Sequence, residues 1–189
     1  ANMNMAIRLV GRMPVLVAAW HRIRQGLEPL AADDSLSHAA NFLWQFHGEK
    51  PDEEMARDLD TCLVLHADHT FNASTFACRE VVSTQAHMYA GVCAGIGALS
   101  GSLHGGANAR VMKMLLELED ENDIAGWVKQ VLDGGGKIMG MGHAVYKTMD
   151  PRAKFLKKMA QRLGRKTGRE RWHILSSQIE EHGIQAFRD

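Results

Sequence analysis

Three short segments of this chain set histidine beside small or flexible backbone. They are His66-Ala67-Asp68-His69, Leu103-His104-Gly105-Gly106-Ala107-Asn108, and Gly140-Met141-Gly142-His143-Ala144-Val145-Tyr146-Lys147, which runs on into Asp150-Pro151-Arg152-Ala153. Imidazole is the side chain best suited to proton work near neutral pH. Glycine beside it lets backbone and ligand approach closely. His104 precedes a helix start with free N–H groups, so a neutral ring there could donate to a carbonyl oxygen as charge develops on it. Arg152 falls in the first turn of a helix, and its guanidinium is shaped for a carboxylate. A cation at that dipole end is unfavourable unless it serves an anion. His66 and His69 flank Asp68, which could orient one of the rings.

Plainer readings compete at each place. His66 and His69 could bond the last carbonyls of a helix C-terminus. His104 could be incidental to a tight helix–helix turn, and Asp150-Pro151-Arg152 an ordinary capped helix start. A metal site would need a third ligand, and no Cys or His pair is suitably spaced, so no metal is expected. From Arg152 to Arg171 there are nine Lys or Arg and one acid, Glu170. Such a run seeks an anion or forms a solvated helix face.

The elements that must position these residues read as helices throughout. Ile7 to Gln25 is periodic, with Pro14 expected to kink it or begin a second piece. Ser35 or Ser37 caps a helix ending at Gly48. Pro51 is expected at the first helical position, followed by Asp52, Glu53 and Glu54, with the helix running towards His66. Further helices are expected over 73–87, 105–118, 122–132, 151–163 and 169–187. The segment Tyr89–Leu99, rich in Gly and Ala, should pack closely and be buried all round. No alternating β-branched stretch supports a strand, so the fold class is all-α.

Composition sets bounds. The 189 residues are 46% hydrophobic with zero formal net charge, enough for a substantial core and against a wholly basic nucleic-acid binder. Cys62, Cys78 and Cys93 read as buried free thiols in a reducing compartment. No uncharged run is long enough to span a bilayer, and no signal peptide precedes the first apolar run. A cytoplasmic protein is expected, without nucleic-acid or membrane partners.

Together the motifs resemble the citrate synthase family. Ser37-His38-Ala39-Ala40-Asn41-Phe42-Leu43, His66-Ala67-Asp68-His69, Asn72-Ala73-Ser74-Thr75, His104-Gly105-Gly106-Ala107-Asn108, Gly142-His143-Ala144-Val145-Tyr146-Lys147 and Asp150-Pro151-Arg152-Ala153 follow the family's order along nearly the whole chain. The resemblance implies a large and a small helical domain with the active site between them, and a homodimer. Residues 1–106 would belong to the large domain and 107–189 to the small one. It further implies condensation of acetyl-CoA with oxaloacetate to citrate and CoA. The coenzyme A thioester is then a substrate, and no covalently bound cofactor is expected. His104 and His143 would be catalytic: His104 bonds the thioester oxygen, and His143 polarises the ketone of oxaloacetate. His69 and Arg152 would hold oxaloacetate. Ile138, Gly140, Met141 and Gly142 would lie along CoA, with Lys147 near its phosphates.

One departure bears on activity. The family's catalytic base is an aspartate in an Asn-Val-Asp-type segment downstream, and no such segment occurs here. The chain is therefore expected to be a fragment lacking N- and C-terminal portions of the family fold, and inactive by itself. Rival readings are 2-methylcitrate synthase using propionyl-CoA, a citryl-CoA lyase-like module and an inactive helical interaction domain.

Overall fold

A computed structural model of the chain describes residues 2–68, 70–141 and 150–186. Every regular element among them is an α-helix. By compactness the chain divides into two units, Ala1–Ala94 and Gly95–Asp189.

In the first unit α1 spans Asn2–Arg24 and packs on α2, His38–His47, which packs on α3, Glu53–His66. Pro14 lies inside α1, which runs through it as one helix and not as two pieces. Ser37 caps α2 by accepting from the Ala40 N–H, and Gly48 ends it in the left-handed region. Asp52, not Pro51, begins α3: its carboxylate accepts from the Met55 N–H at 2.9 Å. Proline supplies the approach, and the acid satisfies an otherwise orphan donor, a cap worth about 1 kcal/mol. Asn72 caps α4, Ala73–Ser83, in the same way. The helix stops short of His87 because Gln85 turns to φ 65°.

The segment between α1 and α2 is held by polar bonds. Asn41 Nδ2 donates to the Asp33 carbonyl, and the Asp33 N–H donates to Asn41 Oδ1. Trp44 Nε1 donates to Ala31 O, and Gln45 Nε2 to Leu30 O. Asp33 also pairs with Lys50 and accepts from Ser35. These contacts hold its carboxyl well below the usual carboxylate range, with the Lys50 bond the largest cause.

Helix α5, Met88–Leu99, departs from expectation. Only Gly91 is buried, while Tyr89, Ile96 and Leu99 are exposed. A Cβ at Gly91 would meet Val82 Cγ1 at 2.5 Å, so α4 lies against this one point of the helix. Among the described residues the rest of the helix is at most half-buried. The cysteines are free, as expected, but Cys93 on α5 is exposed and Cys62 and Cys78 are half-buried. Burial and the nearby Asp58 push the Cys62 thiol up from its ordinary value.

The second unit has an aliphatic core. Helices α6 (Ala107–Glu117), α7 (Ile124–Asp133) and α9 (Arg171–Ala186) bring together Leu115, Leu118, Ile124, Val128, Leu175 and Ile179, and Ile138 joins them from the loop after α7. Leu175 and Val128 are almost completely buried. Helix α8, Ala153–Thr167, packs on α9 and ends at Gly168, whose φ of 67° stops it. Arg171 reaches back to the end of α6, donating to Glu119 O at 2.7 Å and to the carbonyls of Leu118 and Glu121. Those carbonyls lie just past the last residue of α6, so Arg171 ties the turn that follows the helix to α9.

Candidate functional site

The turn before α6 fixes the backbone of His104. The His104 N–H donates to Gly101 O and the Gly105 N–H to Leu99 O, both at 3.0 Å. A Cβ at Gly105 would stand 2.0 Å from Leu99 O, so only glycine fits. The motif's first glycine is therefore required by the closure of α5, and that closure sets where the half-buried His104 begins the approach to α6. Gly106 opens α6 with no side-chain cap. The first N–H groups of the helix thus receive no bond from the capping residue, an arrangement that suits an anionic or partly charged oxygen.

The loop after α7 is anchored by Ile138, which is 4% exposed in the core. The Met141 N–H donates to Ile138 O at 3.2 Å, closing a turn. Gly140 sits at φ 87°, a conformation L side chains rarely adopt, and a Cβ there would contact Val111 Cγ2 at 3.5 Å. Val111 belongs to α6, so the helix that follows His104 also touches this loop.

Helix α8 begins at Ala153, two residues later than Pro151, because the turn before it is closed by Asp150. The Asp150 carboxylate accepts from the Arg152 backbone N–H at 2.9 Å. It also takes the Arg152 guanidinium as a fork, Nε to Oδ1 at 3.0 Å and an Nη to Oδ2 at 2.7 Å. The anion expected for Arg152 is thus supplied first by its own neighbour. The pairing offsets the unfavourable position of a cation in the first turn. It also holds the guanidinium plane in a defined orientation. Elsewhere in the basic run, Lys157 pairs with Glu180 and Arg165 with Glu170. Part of that run therefore serves the fold.

In the first segment, His66 Nδ1 lies 2.6 Å from Cys62 O, as the helix-terminus reading expects. Asp68 accepts from the Thr70 N–H, and Thr70 has φ 59°. His69, Gly142, His143 and Lys147 lie outside the described residues. His104, Ile138, Gly140, Met141 and Arg152 all fall in Gly95–Asp189, on the α6 head, the loop after α7 and the α8 head. A groove of about 710 Å³ lined by Leu115, Leu163, Trp172 and His173 contains none of these residues. Among the described residues no cluster of His, Cys, Asp or Glu could hold a metal ion, and no helix is long and apolar enough to cross a membrane.

Comparison with known proteins agrees with the motif order. A family model described as "Citrate synthase, C-terminal domain" matches residues 1–188. The citrate synthase of Haloferax volcanii is 47% identical over 182 residues, 96% of this chain and 48% of that protein. A 2-methylcitrate synthase of Mycobacterium tuberculosis is 41% identical over 172 residues, 91% of this chain and 44% of that protein. The crystal structure of citrate synthase from Pyrobaculum aerophilum superposes with a TM-score of 0.88 at 42% identity, over 94% of this chain and 44% of that one. The ternary complex of carboxymethyl coenzyme A and oxaloacetate with citrate synthase from Thermoplasma acidophilum does so with a TM-score of 0.87 at 33% identity, over 97% and 49%. The chain spans about half the length of the curated relatives it matches. With the motifs, the all-helical fold and the family match in agreement over almost every residue, the chain belongs to the citrate synthase family.

Proposed function

We propose that the intact protein carrying this chain is an acyltransferase that condenses acetyl-CoA with oxaloacetate, releasing citrate and CoA. The observation that supports the reading is the His104 turn, in which backbone bonds to Gly101 O and Leu99 O and an obligatory glycine at 105 fix the backbone that carries the imidazole at the head of α6. In the proposed sequence a carboxylate base takes a proton from the acetyl methyl group while His104 donates to the thioester oxygen. The enol charge that develops is stabilised there, as in an oxyanion hole. The enol carbon then attacks the ketone carbon of oxaloacetate, whose oxygen His143 polarises. Water cleaves the resulting citryl thioester and frees the CoA thiol. His69 and Arg152 hold the oxaloacetate carboxylates, with Asp150 keeping the Arg152 fork in plane. Ile138, Gly140, Met141 and Gly142 follow CoA, and Lys147 meets its phosphates. The carboxymethyl-CoA and oxaloacetate complex of the archaeal relative supports this substrate pair.

The same reading places the large-to-small domain boundary at 106/107, the protein in the cytoplasm, and a second copy against the exposed apolar surface of α5. The test is thiol release by the intact protein with acetyl-CoA or propionyl-CoA, each with oxaloacetate. His104→Ala should lower release about 100- to 1,000-fold, the usual loss when one such donor is removed. Preference for propionyl-CoA would make the protein a 2-methylcitrate synthase. No release with either substrate would leave a lyase-like or inactive module.

A further inference from the structure

Helix α9 presents Leu175, Ile179 and Gly183 at four-residue intervals, and all three are buried. The first two belong to the core of the second unit. At the third the side chain disappears. A Cβ at Gly183 would stand 2.8 Å from Met141 Cε, 3.6 Å from its Sδ and 3.7 Å from its Cγ. The Met141 thioether therefore occupies the notch that Gly183 leaves. Glycine inside a helix is unfavourable, and this notch gives it a reason. An unbranched, polarisable thioether suits so irregular a seat.

Met141 is bound to the site from its other side. Its N–H closes a turn on Ile138 O, and Ile138 is buried in the same core. Gly140, between them, lies against Val111 of α6. The sequence reaches His143 two residues later.

We propose that Met141 and Gly183 are positioning residues, and that the thioether seated in the α9 notch sets the placement of Ile138–Met141 for acyl-CoA. The inference rests on the proposed synthase function. It is tested in the intact protein with Gly183→Val, which fills the notch, Met141→Ala, and the two combined. Gly183→Val should raise the KM for acetyl-CoA about tenfold with kcat changed less than about twofold, the pattern of lost uniform binding. The dissociation constant of CoA, read by calorimetry, should rise in parallel. Met141→Ala alone should also raise the KM, since Met141 itself follows CoA, and adding it to Gly183→Val should rescue the valine variant part-way, to a rise smaller than the two changes would give independently, because the two sites share one space. A purely structural role would move the melting temperature without this rescue. Should the valine variant not fold, Gly183→Ala, which displaces only the methionine methyl, carries the same comparison at smaller amplitude. An unchanged acetyl-CoA KM, an equal rise for oxaloacetate, or absence of rescue overturns the assignment. A wild type that neither releases thiol nor binds CoA refutes the synthase function and this assignment together. An active wild type with unmoved variants refutes the assignment alone.

Discussion

Among the described residues of Ala1–Ala94 the buried side chains are Ala18, Ala39, Ala40 and Gln45, and the segment before α2 is fixed by bonds from Asn41, Trp44 and Gln45 to backbone. Among those of Gly95–Asp189 they are Leu115, Leu118, Ile124, Val128, Ile138, Leu175 and Ile179. The first unit turns large apolar groups outward, Ile7, Leu16 and Trp20 each above 60% exposed, and secures its loops with polar contacts. The second also exposes some, Leu103 above all, but gathers a cluster of large aliphatic side chains inward and roots the Ile138–Met141 loop in that core. Side chains that must be held for chemistry are better supported by packing than by exposed hydrogen bonds, because a packed neighbour resists displacement in every direction.

The largest effect should come from the core of the second unit. Leu175→Ala should lower its stability by about 2–5 kcal/mol, while Ile7→Ser in the chain should stay within about 0.5 kcal/mol. The tryptophans separate the two, Trp20 and Trp44 reporting on the first unit and Trp127 and Trp172 on the second. Denaturant titrations in single-tryptophan backgrounds should shift only the second pair for Leu175→Ala. Equal shifts in both would erase the contrast. Next, Gly105→Ala should cut thiol release by the intact protein about a hundredfold, since backbone must move by an ångström or more near His104. A loss below about threefold would mean that the turn does not hold the ring.

The smallest effect belongs to the polar loop of the first unit. Asp33 has its folded-state pKa depressed, so its contribution is present above the ordinary carboxylate pKa and lost as pH falls through the folded value. Wild type should therefore lose more stability than Asp33→Asn between about pH 4 and strongly acidic pH, where an unfolded aspartate would already be protonated. Parallel melting curves for the two proteins over that range would remove Asp33 from the account.

Much of this was legible locally. Ser37 and Gly48 announced α2, and the glycines beside His104 announced a close approach, because capping and turn chemistry act within a few residues. Asp52 displaced Pro51 at the head of α3 because a carboxylate that satisfies an N–H outweighs a favourable φ. Asp150 was read as a cap but not as the partner of the Arg152 guanidinium, although only one residue separates them. The seat of Met141 on Gly183 and the reach of Arg171 to the end of α6 had no signal in the pattern. Both join residues more than 40 apart in sequence, where periodicity carries no information. The burial expected of α5 failed for a related reason: small residues say that something can approach closely, not that the same chain supplies it.

The three thiols now differ in chemical reach. Cys62 is held protonated by its surroundings and Cys78 lies half-covered beside α5, whereas Cys93 stands open on that helix. A maleimide dye at neutral pH should couple first at Cys93, two residues from Gly91. Its emission would then follow whatever comes to rest on α5, giving an optical readout of assembly without altering the His104 turn.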